Sequence, residues 1–446
     1  MLKIKDNIGW RKIGEKTIVF NPLNQELLEF NEIAAFLWDQ LLETTSIEKL
    51  LNKVLSRYEV VLEQARKDVI DFIMTLSSLG FIDSTEPNIS HLNYKPKKRQ
   101  KNLLLQLEKY AIKKIIPFSV TFELTNFCNE DCIHCYVPRN NNNELETREI
   151  KRILSELADA GCLFISFTGG EIFTRLDIFE IIDFASKKRF VIDLLTNGAL
   201  VDEKVISFLK TKTVRRVQIS LYSATAQIHD QITQRKGSFL KSASAIEKLV
   251  KEGLKVEIAF PVMKLNFEQR HQVKKLAASL NARFLPAHII TARNDGSKDT
   301  FDLRLDNEQL QTLFKEDIFD YYPGRKAFQE HQFYVGFKNL QEANPCYSGI
   351  NSCCIDPRGN LLPCNQFLYQ LGNLRKNSFS KIWQNSLRLK NLRTFKVRDL
   401  HTCSKCELLS YCSRCPGLAL LEGGDFLGPS FENCRITKIQ TGGDLQ

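Results

Sequence analysis

The chain reads as an α/β protein: an open, partial (β/α)6 barrel of the TIM type, with a winged-helix-like unit before it and a cysteine-rich unit after it. Three observations predict this. From residue 118, six apolar strand segments alternate with amphipathic helices, the pattern of parallel strands joined by right-handed crossovers. Ahead of them, three short strand segments and three amphipathic helices occupy about 85 residues. Behind them, nine of the 13 cysteines fall in the last 101 residues.

In order along the chain, IGWRKI, KTIVFNP and ELLEF read as strands, with Gly14-Glu15 and Asn24-Gln25 at the turns. Asn31 is placed to cap NEIAAFLWDQLL, whose Ile33, Phe36, Leu37 and Leu41 share one helical face. SIEKLLNKVLSRY and LEQARKDVIDFIMTLSSLG follow as helices, the second closing on Gly80. The barrel strands are FSVTFELT, CLFISFTGG, FVIDLLTNG, RRVQISLYS, LKVEIAFPVM and ARFLPAHII. Helices such as EIKRILSELADAG and SASAIEKLVKEG lie between them. Six units fall short of a closed eight-fold barrel, so an open one is expected, with chemistry at the C-terminal ends of its strands. The resulting division is 1–85 for the N-terminal unit, 86–115 for a linker, 116–310 for the barrel, 311–345 for a bridging region and 346–446 for the tail.

The composition, 43% hydrophobic and 26% charged, is that of a globular protein. No window approaches 18 consecutive apolar residues, and MLKIKDNIGW lacks an apolar signal core, so a cytoplasmic protein without membrane spans is expected. A reducing compartment turns clustered cysteines toward metal rather than disulfides. The net charge of +10 is uneven. Residues 1–85 carry ten basic and thirteen acidic side chains, whereas 86–115 carry eight and two, mostly around Lys95, Lys97, Lys98, Arg99 and Lys101. That run reads as a solvated linker or as a strip for an acidic partner such as a peptide. Without interleaved aromatics it does not read as a nucleic-acid site.

After the first barrel strand stand Cys128, Cys132 and Cys135, with Ile133, His134 and Tyr136. Three thiolates at a barrel mouth can hold three corners of an iron–sulfur cubane and leave one iron open. A zinc knuckle with His134 as fourth ligand is the competing reading. C-x3-C-x2-C in this place resembles the radical S-adenosylmethionine (SAM) superfamily. Thr168-Gly169-Gly170-Glu171, ending the second strand, is similar to the GGE motif of that family, in which glycines allow main-chain groups to approach the cofactor. Asn197 ends the third strand and Ser220 the fourth, where the family contacts the sugar and amino-acid parts of SAM. The resemblance further implies that Arg235 pairs with the cofactor carboxylate and that His134 and Tyr136 flank the adenine. It implies a 4Fe–4S cluster on Cys128, Cys132 and Cys135, reductive cleavage of SAM, and hydrogen abstraction by a 5′-deoxyadenosyl radical. A one-electron reductant such as flavodoxin or ferredoxin would be required.

The tail runs Cys346, Gly359, Cys364, then Cys403-x2-Cys406-x5-Cys412-x2-Cys415, and Cys434. It resembles the SPASM domain, with its two auxiliary 4Fe–4S clusters, although the last pair is two residues apart where three is common. The resemblance implies Cys346, Cys364 and Cys415 on a nearer cluster, with Cys353 or Cys354 completing it, and Cys403, Cys406, Cys412 and Cys434 on a distal one. Zinc in the CxxC pairs is the alternative. Cys162, in CLFISF, reads as a small buried hydrophobe.

FNEIAAFLWDQLL and VIDFIMTLSSLGFI resemble the PqqD-like recognition element of enzymes that mature ribosomally made, post-translationally modified peptides (RiPPs). In that family a leader peptide adds as a strand to the small sheet, against the third helix. Together the resemblances imply a maturase that cross-links a precursor peptide. A thioether is favoured, because an open site on the nearer cluster could bind a substrate thiolate, and carbon–carbon linkage comes next. A peptide epimerase using Cys162 or a cysteine at 353–354 as hydrogen donor, a sulfatase-maturating type of oxidase, and a zinc-bound peptide chaperone are the alternatives. No catalytic base is evident, with Asp193 and Glu171 available.

Overall fold

The computed structural model describes residues 2–44, 46–84, 102–137, 143–316 and 339–442. The basic run at Lys95–Lys101 and most of the bridging region fall outside the described residues. At the N-terminus, β1 (Leu2–Ile4) is followed by an antiparallel sheet of β2 (Gly9–Ile13), β3 (Lys16–Asn21) and β4 (Glu26–Phe30) in that order. Then come α1 (Glu32–Leu41), α2 (Ile47–Arg57), α3 (Leu62–Ser78) and β5 (Ile82–Ser84), which pairs antiparallel with β1. That last pair was not expected: three residues are too few to display an alternating pattern. Asn31 caps α1 as its position suggested, accepting from Ala34 N at 2.8 Å. One face of the three-stranded sheet packs on the helices through Val19, Leu28 and Phe30 against Leu37, Trp38 and Ile73. Trp38 is wholly buried and meets Trp10 edge-on at 6.3 Å.

The barrel follows α4 (Leu103–Lys114). Its six parallel strands are β6 (Ser119–Glu123), β7 (Phe164–Thr168), β8 (Val191–Thr196), β9 (Val214–Ser220), β10 (Val256–Pro261) and β11 (Arg283–Ala287). Between them run α5 (Thr147–Asp159), α6 (Ile178–Lys187), α7 (Glu203–Leu209), α8 (Ala226–Thr233), α9 (Ser238–Lys251) and α10 (Arg270–Ser279), and α11 (Asn307–Lys315) follows. Alternation divides the strands. Ile165, Phe167, Ile192 and Leu194 join the core beneath the outer helices, while Phe164 and Val191, of opposite parity, face the barrel interior. There the second face of the N-terminal sheet meets them: Ile13, Ile18 and Phe20 pack with Leu107 of α4, Phe118, Leu163, Phe164 and Val191. The N-terminal unit therefore floors the barrel at the end where its strands begin.

The tail extends this sheet. β12 (Ser352–Ile355) pairs parallel with β6, and β13 (Asn360–Leu362) and β14 (Gly372–Asn373) continue outward, giving nine strands in the order β11-β10-β9-β8-β7-β6-β12-β13-β14. Helices α12 (Phe379–Asn385), α13 (Leu387–Thr394), α14 (Pro416–Gly423) and α15 (Phe431–Thr441) complete the tail. Strands from the cysteine-rich region were not expected, because SCCI reads as ligand chemistry before it reads as a strand. Among the described residues no helix is long and apolar enough to cross a membrane.

Candidate iron–sulfur and cofactor site

The cysteine loop leaves the C-terminal end of β6 and is held by the turn after β7. Gly170 N donates to Thr125 O at 2.7 Å and Glu171 N to Phe127 O at 2.8 Å. The approach is so close that a Cβ on Gly169 would stand 2.2 Å from Thr125 O, and one on Gly170 would stand 2.1 Å from Phe127 O. Gly169 also has φ +140, which side chains rarely adopt. The glycine pair thus packs against the backbone that presents Cys128. Glu171 is fully buried. Its carboxylate accepts from Thr196 Oγ1 at 2.8 Å, Asn197 N at 2.7 Å and Phe173 N at 3.0 Å. Burial raises its pKa, and these hydrogen bonds oppose the shift. Asn197 in turn donates to Asn129 Oδ1 at 2.7 Å and approaches Cys128 Sγ at 3.8 Å.

The remainder of the loop is tied down on every side. Asp131 N and Ile133 N donate to Thr233 O and Ile232 O at the end of α8. Arg293 donates to Cys135 O at 2.7 Å and to Ile133 O at 3.1 Å. Cys132 Sγ lies 3.9 Å from Tyr222 Oη. His134 is half-buried, edge-on against Tyr222 at 4.8 Å, and its buried Nδ1 makes no hydrogen bond. Burial, helped by Arg293, lowers its pKa to about 4, so the ring is neutral at pH 7. The Tyr136 hydroxyl donates to Glu123 Oε1 at 3.3 Å and accepts from Asn365 Nδ2 at 3.0 Å, joining the loop to the residue beside Cys364. Burial pushes the Glu123 carboxyl up to about 7. Ser220 lies at the end of β9 as expected. Arg235 stays exposed, with its charge acting on Glu130.

The tail thiols form two sets. Burial raises Cys364 to about 11, and Cys415 and Cys346 lie close enough to add to the shift. Burial likewise raises Cys412 to about 11, with Cys434, Cys403 and Cys406 adding to it. The neighbouring pair separates. Cys354 feels Glu123 and Cys364, whereas Cys353 feels Cys162 and Arg393. Consecutive strand residues point to opposite faces, and Cys354 stands opposite Thr121 on the face of β6 that carries Glu123. Cys162 lies at the other end of the barrel, its thiol donating to Phe164 O at 3.3 Å. That removes it from the neighbourhood of the cysteine loop.

These donor sets fit iron–sulfur clusters. The thiols are buried or half-buried, with Cys406 alone of them exposed, and are gathered as three, three with Cys354, and four. Among the described residues no three Cys, His, Asp or Glu side chains converge tightly enough to hold a single metal ion. A cubane needs less convergence than zinc, because each thiolate binds a different iron. Sequence reading missed Arg293, Tyr222 and Asn365, and also Glu144, which accepts from Thr125 Oγ1 at 3.0 Å and Asn126 N at 2.8 Å. None of these carries a local motif.

Residues 122–277 match the radical SAM superfamily, residues 16–82 match coenzyme PQQ synthesis protein D (PqqD), and residues 346–416 match the SPASM iron–sulfur cluster-binding domain. The antilisterial bacteriocin subtilosin biosynthesis protein AlbA of Bacillus subtilis is 29% identical over 309 residues, 67% of this chain and 67% of that protein. The AdoMet-dependent heme synthase of Methanosarcina barkeri is 27% identical over 70% of this chain and 94% of that protein. In fold, the chain resembles Streptococcus suis SuiB bound to its precursor peptide SuiA, with a TM-score of 0.62 at 19% identity, covering 97% of this chain and 100% of that one.

The glycine approach yields a prediction. Gly170→Ala should cost about 1–3 kcal/mol of stability and lower the iron retained per chain. Gly423→Ala, whose added Cβ would meet only Phe431 at 3.8 Å, should do neither. Denaturation midpoints and iron analysis of the two variants check this.

Proposed function

Since the chain is a radical SAM enzyme that also carries PqqD and SPASM units, we propose that it modifies a ribosomally made precursor peptide. The single observation that carries this reading is the pairing of a radical SAM barrel with a peptide-binding type of sheet in which the outer edge of β4 has no strand partner among the described residues. The opposite edge is engaged: Trp10 N of β2 donates to Arg189 O at 3.0 Å. A leader segment added along β4 would gain main-chain hydrogen bonds, with α3 alongside to supply side-chain pockets. A heme-synthase reading gives the N-terminal unit no role. We assign leader binding to residues 1–85, the radical chemistry to 116–310 and the auxiliary clusters to 346–446, with 86–115 and 311–345 as connections.

Cys128, Cys132 and Cys135 would hold the cluster that binds SAM. Once bound and reduced by one electron, that pair supplies a 5′-deoxyadenosyl radical able to remove a substrate hydrogen atom. The protein's part is positional. Gly169, Gly170 and Glu171 fix the loop against β7 and β8, and Asn197, just beyond β8, and Ser220, at the end of β9, are the residues that would contact the cofactor. His134 and Tyr222 form an apolar, neutral wall, and Arg235 is available for the cofactor carboxylate. Tyr136 sits between Glu123 and Asn365, and this supports a role in joining the loop to the tail rather than in stacking on the adenine. The electron carrier is proposed to be a flavodoxin or ferredoxin.

An intramolecular cross-link is the proposed product. Its formation removes a second hydrogen as a proton and an electron, and the tail thiol sets would hold the clusters able to take up that electron. Cys354 beside Cys364 supports a fully ligated nearer cluster. That withdraws the advantage an open iron would give a thioether, and leaves thioether and carbon–carbon linkage level. Epimerisation loses support, because Cys162 and Cys353 face away from the cysteine loop and Cys354, which does not, is here assigned to the nearer cluster.

Two measurements test this reading. Cys128→Ala should abolish conversion of SAM to 5′-deoxyadenosine while leaving precursor binding within about twofold of wild type; undiminished conversion would refute the ligand assignment. Cys354→Ala should lose one cluster's worth of iron and acid-labile sulfide, and Cys353→Ala should keep both. The opposite pattern would move the fourth ligand to Cys353.

A further inference from the structure

The docking edge and the radical site lie at opposite ends of the barrel. The N-terminal unit touches the strands where they begin. Arg11 donates to Lys188 O at 2.8 Å, Arg189 to Asp6 O at 2.9 Å, and Gln25 of the β3–β4 turn to Arg215 O at 3.4 Å. Phe164, Val191 and Arg215 are the first or second residues of β7, β8 and β9. The cysteine loop, Gly169, Asn197 and Ser220 all stand at or beyond the last residues of their strands.

A straight passage through the interior is closed by the apolar floor, where Ile13 and Ile18 are fully buried and Phe20 is 5% exposed. The flank beyond β6 is also closed, because β12, β13 and β14 continue the sheet there. The remaining flank is β11, whose outer edge has no strand partner among the described residues. At the foot of that flank lies a cavity of about 350 Å³. Gln25, Arg216, Lys255, Glu257 and Arg283 line it, so it begins at the very turn that precedes β4.

Resting on the leader-docking reading above, we propose that the enzyme accepts only precursors in which at least about ten residues separate the docked segment from the residue modified. The intervening chain rounds the barrel past the foot of β11. The length follows from the strands. Five to seven residues each at about 3.3 Å per residue give a barrel height near 20 Å. The docking sheet lies a further layer below. A fully extended chain covers at most about 3.5 Å per residue, so even a taut path needs about eight residues, and rounding the rim adds more. A leader strand added antiparallel to β4 (Glu26–Phe30) sends its C-terminal end, the end that carries the core, out beside Gln25 at the cavity.

The test uses the full-length reconstituted enzyme and a synthetic precursor peptide with an N-terminal fluorescein, its sequence taken from a short reading frame sought beside the gene and chosen because it binds the enzyme. Leader and core stay intact while the segment between them is cut to about five residues, then refilled to about twelve with Gly-Ser. Fluorescence anisotropy reads binding, and mass spectrometry reads the loss of two hydrogens that marks the cross-link. The shortened peptide should bind within about twofold of the parent yet yield at least about a hundredfold less product, and refilling should restore the product. Product from the shortened peptide at the parent rate would overturn the proposal. So would a refilled peptide that stays unmodified, since sequence rather than length would then decide. If no such peptide binds at all, the docking reading falls, and the spacer proposal falls with it.

Discussion

Much of the molecule depends on one backbone contact, the approach of Gly169 and Gly170 to Thr125, Asn126 and Phe127. At 2.1–2.2 Å from a carbonyl oxygen there is no room for a Cβ, so the turn after β7 and the cysteine loop after β6 share one position. Glu171 then carries that position one strand further by accepting from Thr196 and Asn197. An unpaired buried carboxylate would be costly. Here each bond that satisfies Glu171 also orders a strand end. Three consecutive strands are thus registered at their C-terminal ends around Cys128, before any cofactor contributes.

The second constraint is the barrel floor. An open partial barrel has an interior that must be filled or wetted at its lower end, and here a sheet from another unit fills it. Because β3 buries side chains on both faces, toward the helices through Val19 and toward the barrel through Ile18 and Phe20, the N-terminal unit is not a loosely tethered accessory. Its other edge and both faces are occupied, and among the described residues the outer edge of β4 pairs with no strand. The SPASM region is joined as firmly, since β12 pairs with β6 and Asn365 meets Tyr136. Barrel and tail share one nine-stranded sheet and the separate N-terminal sheet packs beneath it, so the distance between the proposed docking edge and the cysteine loop is fixed by that packing.

Much of this was legible in the sequence. The six strand–helix units, Asn31 as a cap and the spacing of Cys128, Cys132 and Cys135 are local patterns, and local patterns survive reading one residue at a time. What was not legible is long-range. Cys353 and Cys354 could not be separated, because in a strand the two faces are distinguished only once the pairing with β6 is known. Arg293 is 158 residues from the Cys135 carbonyl it binds, and Asn365 is 229 from Tyr136. Nothing local marks either. The glycines of the GGE motif were visible, but not what they approach: in the fold their immediate neighbour is the cysteine loop. The β1–β5 pair and the strands of the tail were too short to show a period.

The central claim is that the three thiol sets hold iron–sulfur clusters, one of them for SAM. Iron, zinc and acid-labile sulfide counted per wild-type chain after anaerobic reconstitution test it most directly. The account predicts about twelve iron and twelve sulfide, four of each per cubane, with no stoichiometric zinc. Zinc without sulfide would contradict it.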